Sequence, residues 1–194
     1  MIGIYFVTMR DRKQHKFRTF GEHKYTIIMI QIVPATTSHI KAIQEVSALA
    51  WPEAFKDILS ASQIAYMMEW MYSDANLREQ MEEKNNHYFL VIADDQNVGY
   101  MSIEHNCENK EKTKIHKLYI LPDQQKKGIG RMLIDFALER AREAGDSAIY
   151  LNVNKYNKNA ISFYHRTDFF LAKEEVNDIG NGYVMDDFVF EKTI

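Results

Sequence analysis

The chain holds a single cysteine, Cys107, so no internal disulfide can brace it. That fits a reducing compartment, and the expected location is the cytoplasm. Cys107 sits in the polar stretch His105-Asn106-Cys107-Glu108-Asn109-Lys110. A reactive thiol needs a held, electropositive setting, so Cys107 is not read as catalytic. No apolar run approaches the roughly 18 residues of a membrane span, and no membrane association is expected. The apolar stretch Ile2 to Val7 has no basic lead-in and is too short for a signal core. The seven histidines show no H-E-x-x-H spacing, and no C-x-x-C exists, so no metal is expected. Internal repeats and low-complexity tracts are also missing.

What is present describes an ordinary globular chain. Its 194 residues are 46% hydrophobic and 26% charged, enough for one domain with a substantial core. The charge is unevenly spread. Residues 1–28 carry six Lys/Arg against two acids, a net of +4, which leaves 18 basic and 25 acidic residues, a net of −7, in 29–194. Residues 1–28 are therefore read as a basic extension that the domain can do without. The alternatives are a nucleic-acid-binding arm or an organelle-targeting peptide. The acidic body argues against a nucleic-acid partner.

Ile30 to Pro34 alternates as a strand. Thr36-Thr37-Ser38 offers a cap to a helix with Ile40, Ile43, Val46 and Ala50 on one side. Trp51-Pro52 is expected to break that helix. Ser60 caps a second helix bearing Ile64, Met67, Met68 and Met71, and a short helical piece follows around Leu77 to Glu83. His87 to Ala93 and Val98 to Glu104 read as a hairpin around Asp94-Asp95-Gln96-Asn97. Lys114 to Leu121 is a further strand. A long helix, Arg131 to Ala144, shows apolar residues at Leu133, Phe136, Ala137, Ala141 and Ala144 and stops at Gly145. Ala148 to Val153 is a strand, Asn159 to Thr167 a helix, and the tail from Tyr183 to Glu191 a last strand. This order predicts an α/β (α+β) fold with helices on both faces of a mixed sheet.

Between the strand ending at Leu121 and the long helix lies Gln124-Gln125-Lys126-Lys127-Gly128-Ile129-Gly130-Arg131. A helix N-terminus exposes unpaired N–H groups and a partial positive charge, which suits phosphate oxygens. Glycines 128 and 130 remove side chains where a ligand must approach the backbone, and Lys126, Lys127 and Arg131 add positive charge. The reading is a diphosphate cradle. A nucleotide kinase loop is excluded, because Arg131-Met132 follows Gly130 where Lys-Ser/Thr would be required.

Gln125 to Gly130 fits Q/R-x-x-G-x-G/A, and Asn157-Lys158-Asn159-Ala160-Ile161-Ser162-Phe163-Tyr164, about 35 residues on, fits N-x-x-A-x-x-F-Y. On these two blocks, with the strand Ile149 to Val153 between them, residues 29–194 resemble the GNAT (Gcn5-related N-acetyltransferase) superfamily. The pattern from 51 to 76 loosely resembles that of bacterial spermidine/spermine N-acetyltransferases. The resemblance implies a mostly antiparallel sheet of six to seven strands and acetyl-CoA as cosubstrate. It implies that the backbone of Gln125, Lys126, Lys127, Gly128, Ile129, Gly130 and Arg131 holds the diphosphate. Leu118, Tyr119 and Ile120 would splay from the next strand and bond the pantetheine arm, with the Ile120 N–H polarising the thioester carbonyl. Asn157 would hydrogen-bond the coenzyme, Ala160 and Phe163 would pack beside it, and Tyr164 would protonate the departing thiolate.

A thiol of pKa about 8.5 leaves as its anion, and a phenol of pKa about 10 can donate to it. On spacing alone, Tyr164 could equally complete an apolar helix face with Ile161. The acceptor is expected to be a primary amine, a polyamine or similar small molecule first and a protein N-terminal or lysine amine second. A base must take its proton. His116 is the first candidate, placed by period-two geometry on the face of Leu118 and Ile120; it could equally be a hydrogen-bonded structural histidine. Glu104 is the second candidate base. The acceptor wall is expected in 51–76, rich in Trp, Tyr, Phe and Met and carrying Glu53, Asp57, Glu69 and Asp74, with most of its apolar residues in the core and a few lining a groove. A catalytically inactive coenzyme-A-binding sensor or partner module is the competing class, and self-association as a homodimer is left open. One departure from the family pattern is Asp168, where the family has a helix-ending glycine, at an expected cost of about 1 kcal/mol.

Overall fold

A computed structural model describes residues 5–10 and 27–194. The strands are β1 (Tyr5–Arg10), β2 (Ile27–Ala35), β3 (His87–Ala93), β4 (Gln96–Glu104), β5 (Lys112–Ile120), β6 (Ala148–Asn154), β7 (Phe170–Gly180) and β8 (Tyr183–Thr193). The helices are α1 (Ile40–Phe55), α2 (Ala61–Tyr72), α3 (Asp74–Glu82), α4 (Ile129–Ala144) and α5 (Lys158–Arg166). The strands form one sheet in the order β1-β2-β3-β4-β5-β6-β8-β7. Seven of them, β2 to β8, make the expected mixed sheet. An eighth, β1, is drawn from the basic extension and pairs antiparallel with the edge of β2. Every neighbouring pair is antiparallel except β5–β6.

The two faces of the sheet bury separate cores. One packs α4 and α5 residues, among them Leu133, Ile134, Ala137, Phe163 and Tyr164, onto Ile103, Ile115, Ile149, Leu151 and Phe190. The other packs α1–α3 through Ile43, Val46, Trp51, Met67, Tyr72 and Leu77 onto Tyr88, Leu90 and Tyr100. Each fully buried leucine or isoleucine contributes about 1.5–3 kcal/mol. Leu133, Phe136, Ala137 and Ala141 are buried as their spacing predicts, but Ala144, at the last turn of α4, is exposed.

Pro52 does not end α1. The helix runs on to Phe55 with the proline inside it, and Lys56 N–H donates to Pro52 O at 2.9 Å. The missing proline N–H falls in the last turns, where little ladder remains to disrupt. Packing outweighs that loss. Trp51 is buried against Phe55, Tyr72 and Tyr119, and its indole N–H donates to the Tyr72 hydroxyl at 2.9 Å. Ser60 caps α2 as expected, accepting from Gln63 N–H at 3.1 Å.

Candidate active site

The loop before α4 is shaped by two left-handed residues, Lys126 (φ 61°) and Gly128 (φ 88°). The first helical hydrogen bond runs from Met132 N–H to Gly128 O at 3.2 Å, and no side chain caps the helix. The N–H groups of Ile129, Gly130 and Arg131 therefore have no intrahelical acceptor. A Cβ on Gly130 would stand 3.1 Å from the Phe163 ring, so the glycine lets α5 close against the cradle. Lys126, Lys127 and Arg131 are exposed; Lys127 reaches Gln124 at 2.9 Å and Arg131 pairs with Asp135 at 3.2 Å.

Beside this cradle the sheet opens. β5 pairs with β6 only at Lys112–Ala148, Thr113–Ile149 and Lys114–Tyr150. From Ile115 onward β5 keeps its β4 partner but has none on the β6 side. Leu121 N–H donates back to Val98 O on the β4 side at 2.9 Å. Strand alternation then turns the N–H groups of Leu118 and Ile120 toward the open edge. The Ile120 carbonyl on that edge accepts from the Gln125 side chain at 3.2 Å, tying the loop to the wedge. Gly99 permits the close approach of β4, since a Cβ there would meet Tyr119 O at 2.7 Å.

α5 forms the far wall. Asn157 Oδ1 accepts from Ala160 N–H at 3.1 Å and caps the helix. Tyr164 is buried among Phe163, Phe169 and Phe190. Burial raises its hydroxyl pKa well above the ordinary phenol value, so it stays protonated. Asp168 adopts φ 64°, the left-handed conformation that a glycine would supply, and pairs with Lys192 at 3.2 Å.

Glu104 and His116 meet, with His116 Nε2 2.7 Å from Glu104 Oε2. They do so on a different face from the one period-two counting gives. The β4–β5 register shifts between Ser102 and Ile103, pairing Ser102 with Lys117 and Ile103 with Ile115, so His116 is an extra, bulged residue. Ile115 packs on the α4 side. Lys117 points to the other side, between the rings of Tyr72 and Tyr88. Glu104 follows Ile103 and so faces away from α4, and His116 lies with it, opposite to Leu118 and Ile120. It stands two residues past the last β5–β6 pair, at the apex of the wedge. Burial, aided by Lys114 and Lys117, lowers its pKa to about 4 against the pull of Glu104, so the imidazole is neutral at pH 7. Cys107 belongs to the same group: its thiol donates to Glu104 Oε2 at 3.4 Å, and burial raises its pKa. A raised thiol pKa disfavours the nucleophilic thiolate.

The stretch 51–76 is mainly core. Trp51, Phe55, Met67 and Tyr72 are buried, while Glu53, Asp57, Glu69 and Asp74 lie on the solvated outside of the helices. A further polar group lies on β6, β7 and β8. Asn152 donates to Glu175 Oε1, and Asp187 is buried beside them. In the sequence, Met185-Asp186-Asp187-Phe188 places two acids in an alternating strand. One of them must share a face with inward residues, and that signal was available.

A family model described as the acetyltransferase (GNAT) family matches residues 44–169. The chain belongs to this family and is by class an acetyl-CoA-dependent N-acetyltransferase. It is 33% identical over 90 residues to the peptidyl-lysine N-acetyltransferase YjaB of Escherichia coli strain K12, covering 46% of this chain and 53% of that one. It is 31% identical over 98 residues to streptothricin acetyltransferase of Streptomyces lavendulae, covering 50% of this chain and 51% of that one. The chain thus spans about half the length of these two relatives. The crystal structure of PaiA N-acetyltransferase from Thermoplasma acidophilum in complex with coenzyme A superposes with a TM-score of 0.70 at 22% identity. That match covers 85% of this chain and 99% of the other. Among the described residues no helix is long and apolar enough to cross a membrane.

Proposed function

We propose that the chain transfers the acetyl group of acetyl-CoA directly to a primary amine of a small molecule, in the wedge between β5 and β6. The observation that supports this reading is that β5 loses its β6 partner after Lys114, next to the uncapped start of α4. The free N–H groups at Ile129 to Arg131 suit a diphosphate, and Gly128 and Gly130 keep that approach clear. The Ile120 N–H polarises the thioester carbonyl. Glu104 accepts the His116 Nε2–H, which fixes the tautomer and leaves Nδ1 to accept a proton. The amine nitrogen attacks the carbonyl carbon as its proton passes to His116. The new C–N bond forms, the C–S bond breaks, and Tyr164 gives its hydroxyl proton to the sulfur.

The acidic balance of the domain supports a cationic small amine. A peptidyl lysine is the second reading, favoured by the relative of that activity. Thiol release with a panel of amines and a lysine peptide decides between them. Gly128→Glu should abolish acetyl-CoA binding in calorimetry, and normal binding would remove the cradle from the site. Tyr164→Phe should lower turnover while sparing coenzyme affinity; unchanged turnover would exclude Tyr164 as the acid.

A further inference from the structure

Three side chains of unlike chemistry converge where the β4–β5 register slips. Glu104 ends β4, Cys107 opens the turn 107–109, and His116 is the surplus residue of the bulge. The bulge turns the imidazole onto the carboxylate, so no spacing in the sequence announces the group. His116 Nε2 lies 2.7 Å and Cys107 Sγ 3.4 Å from Glu104 Oε2, and the three donor atoms all fall within 4.8 Å of one another. Tetrahedral zinc, held at about 2.0–2.3 Å by N, O and S donors, needs those donors about 3.3–3.8 Å apart. The sulfur and the carboxylate already stand at that separation, and the imidazole must open by less than about 1 Å. Cys107 is 4% exposed, whereas the Glu104 and His116 side chains keep 26% and 24%, so an ion enters from solvent and meets the sulfur beneath. The buried Tyr150 hydroxyl lies against the same sulfur, where it can donate to a thiolate.

A nitrogen, a carboxylate oxygen and a sulfur together select zinc-class ions over magnesium and calcium, and three protein ligands leave a fourth position for water. A thiolate and a carboxylate balance the two charges of such an ion, so the nearby Lys114 and Lys117 face a neutral group. We infer that Glu104, Cys107 and His116 bind one zinc-class divalent cation, and that this cation switches the enzyme off. On binding, the thiol proton leaves to solvent and the imidazole proton moves from Nε2 to Nδ1, while Nε2 and the sulfur each give a lone pair to the metal. Nδ1 then has no lone pair for the amine proton, and Glu104 no longer orients the ring. The inhibition rests on the transferase reading above; the metal site does not.

The test uses cobalt(II) and zinc on the untagged full chain, with a phosphine in place of a thiol reductant. Cobalt should bind once per chain with a sulfur-to-cobalt charge-transfer band and the intense visible bands of tetrahedral coordination, and zinc should displace it. The zinc Kd by competition should be about 1 μM or below, and Cys107→Ala and His116→Gln should each weaken it at least about 10-fold. Acetylation is then followed as acetylated amine, because zinc also binds the thiol of free coenzyme A. Saturating zinc should lower the parent rate at least about 10-fold and leave Cys107→Ala within about twofold of its own metal-free rate. Cobalt bound without the sulfur band, or unchanged zinc affinity in both variants, overturns the site. Zinc bound as described with the parent rate unchanged, or equal inhibition of parent and Cys107→Ala, overturns the switch. No acetylation of any amine by the metal-free protein overturns the transferase reading and the switch with it, while the cobalt spectrum still decides the site.

Discussion

The buried carboxylate of Asp187 should cost the fold stability once it ionises, and the cost can be measured without knowing the acceptor. Burial moves its pKa from 3.8 to about 6. Between those values the native state holds a proton that the unfolded chain has released, so parent stability falls as pH rises through the window. Above about pH 6 the full penalty applies, on the order of 3 kcal/mol at 1.36 kcal/mol per pH unit. Asp187→Asn keeps the volume and removes the charge. The buried amide takes back about 1 kcal/mol through its own imperfect pairing, leaving a net gain of about 2 kcal/mol. For a chain of this size that raises the unfolding midpoint by about 4–8 °C. The groups facing Asp187 are Asn152, Glu175, Asp186 and Lys114. Glu175 has its pKa lowered to about 2, chiefly by Lys173, and is common to both proteins, so it cancels in the difference. Thermal unfolding followed by circular dichroism near pH 4, 5, 6 and 7.5 gives the comparison. The gap should be near zero or slightly reversed near pH 4 and fully open by about pH 7. A gap of constant size across this range, or a parent more stable near pH 7.5, would refute the reasoning.

Three further outcomes are expected. Lys117 is buried between Tyr72 and Tyr88 with Gln80 as its acceptor, and burial lowers its pKa to about 7. Parent stability should therefore rise between about pH 7 and pH 10 as the native amine sheds the proton that the unfolded chain retains. Lys117→Met should flatten that slope and add about 1–3 kcal/mol near pH 7 in urea unfolding. Gly99→Ala should cost about 2–3 kcal/mol in the same assay, because its methyl group would meet the rigid Tyr119 carbonyl oxygen at 2.7 Å. Asp168→Gly should raise the melting midpoint by about 1–3 °C, relieving the left-handed strain at φ 64° while losing only an exposed ion pair to Lys192.

The loop before α4 was the most legible part of the candidate site. Its glycines, its place between a strand and a helix, and the later N-x-x-A-x-x-F-Y block are local in sequence, and local geometry follows from them. Helix spacing likewise identified Leu133, Phe136, Ala137 and Ala141, and Ser60 announced its own cap. Pro52 misled because backbone preference is local, whereas the burial of Trp51 against Tyr72 and Tyr119 joins residues far apart in sequence. The face of His116 could not be counted from β5 alone, since a bulge is a property of two strands in register. Most apolar residues of 51–76 were expected in the core and a few along a groove, because aromatic and methionine side chains serve both. Topology decides which, and here α1–α3 cover the sheet with them. The burial of Asp187 was only half legible: two adjacent acids in an alternating strand put one of them inward, but which one depends on β6 and β7 flanking β8.

The irregularity at His116 makes the chemistry of β5 a matter of parity. One surplus residue lets a single strand serve both layers, with Ile115 and Leu118 in one and the imidazole in the other. Excising any one residue between Lys112 and Ile115 would restore ordinary alternation at the cost of exchanging which side chains each layer receives. Shortening by a single codon would thus turn the imidazole to the opposite layer while the glycine loop and its long rod stay intact, so arithmetic along this ribbon decides what each letter faces.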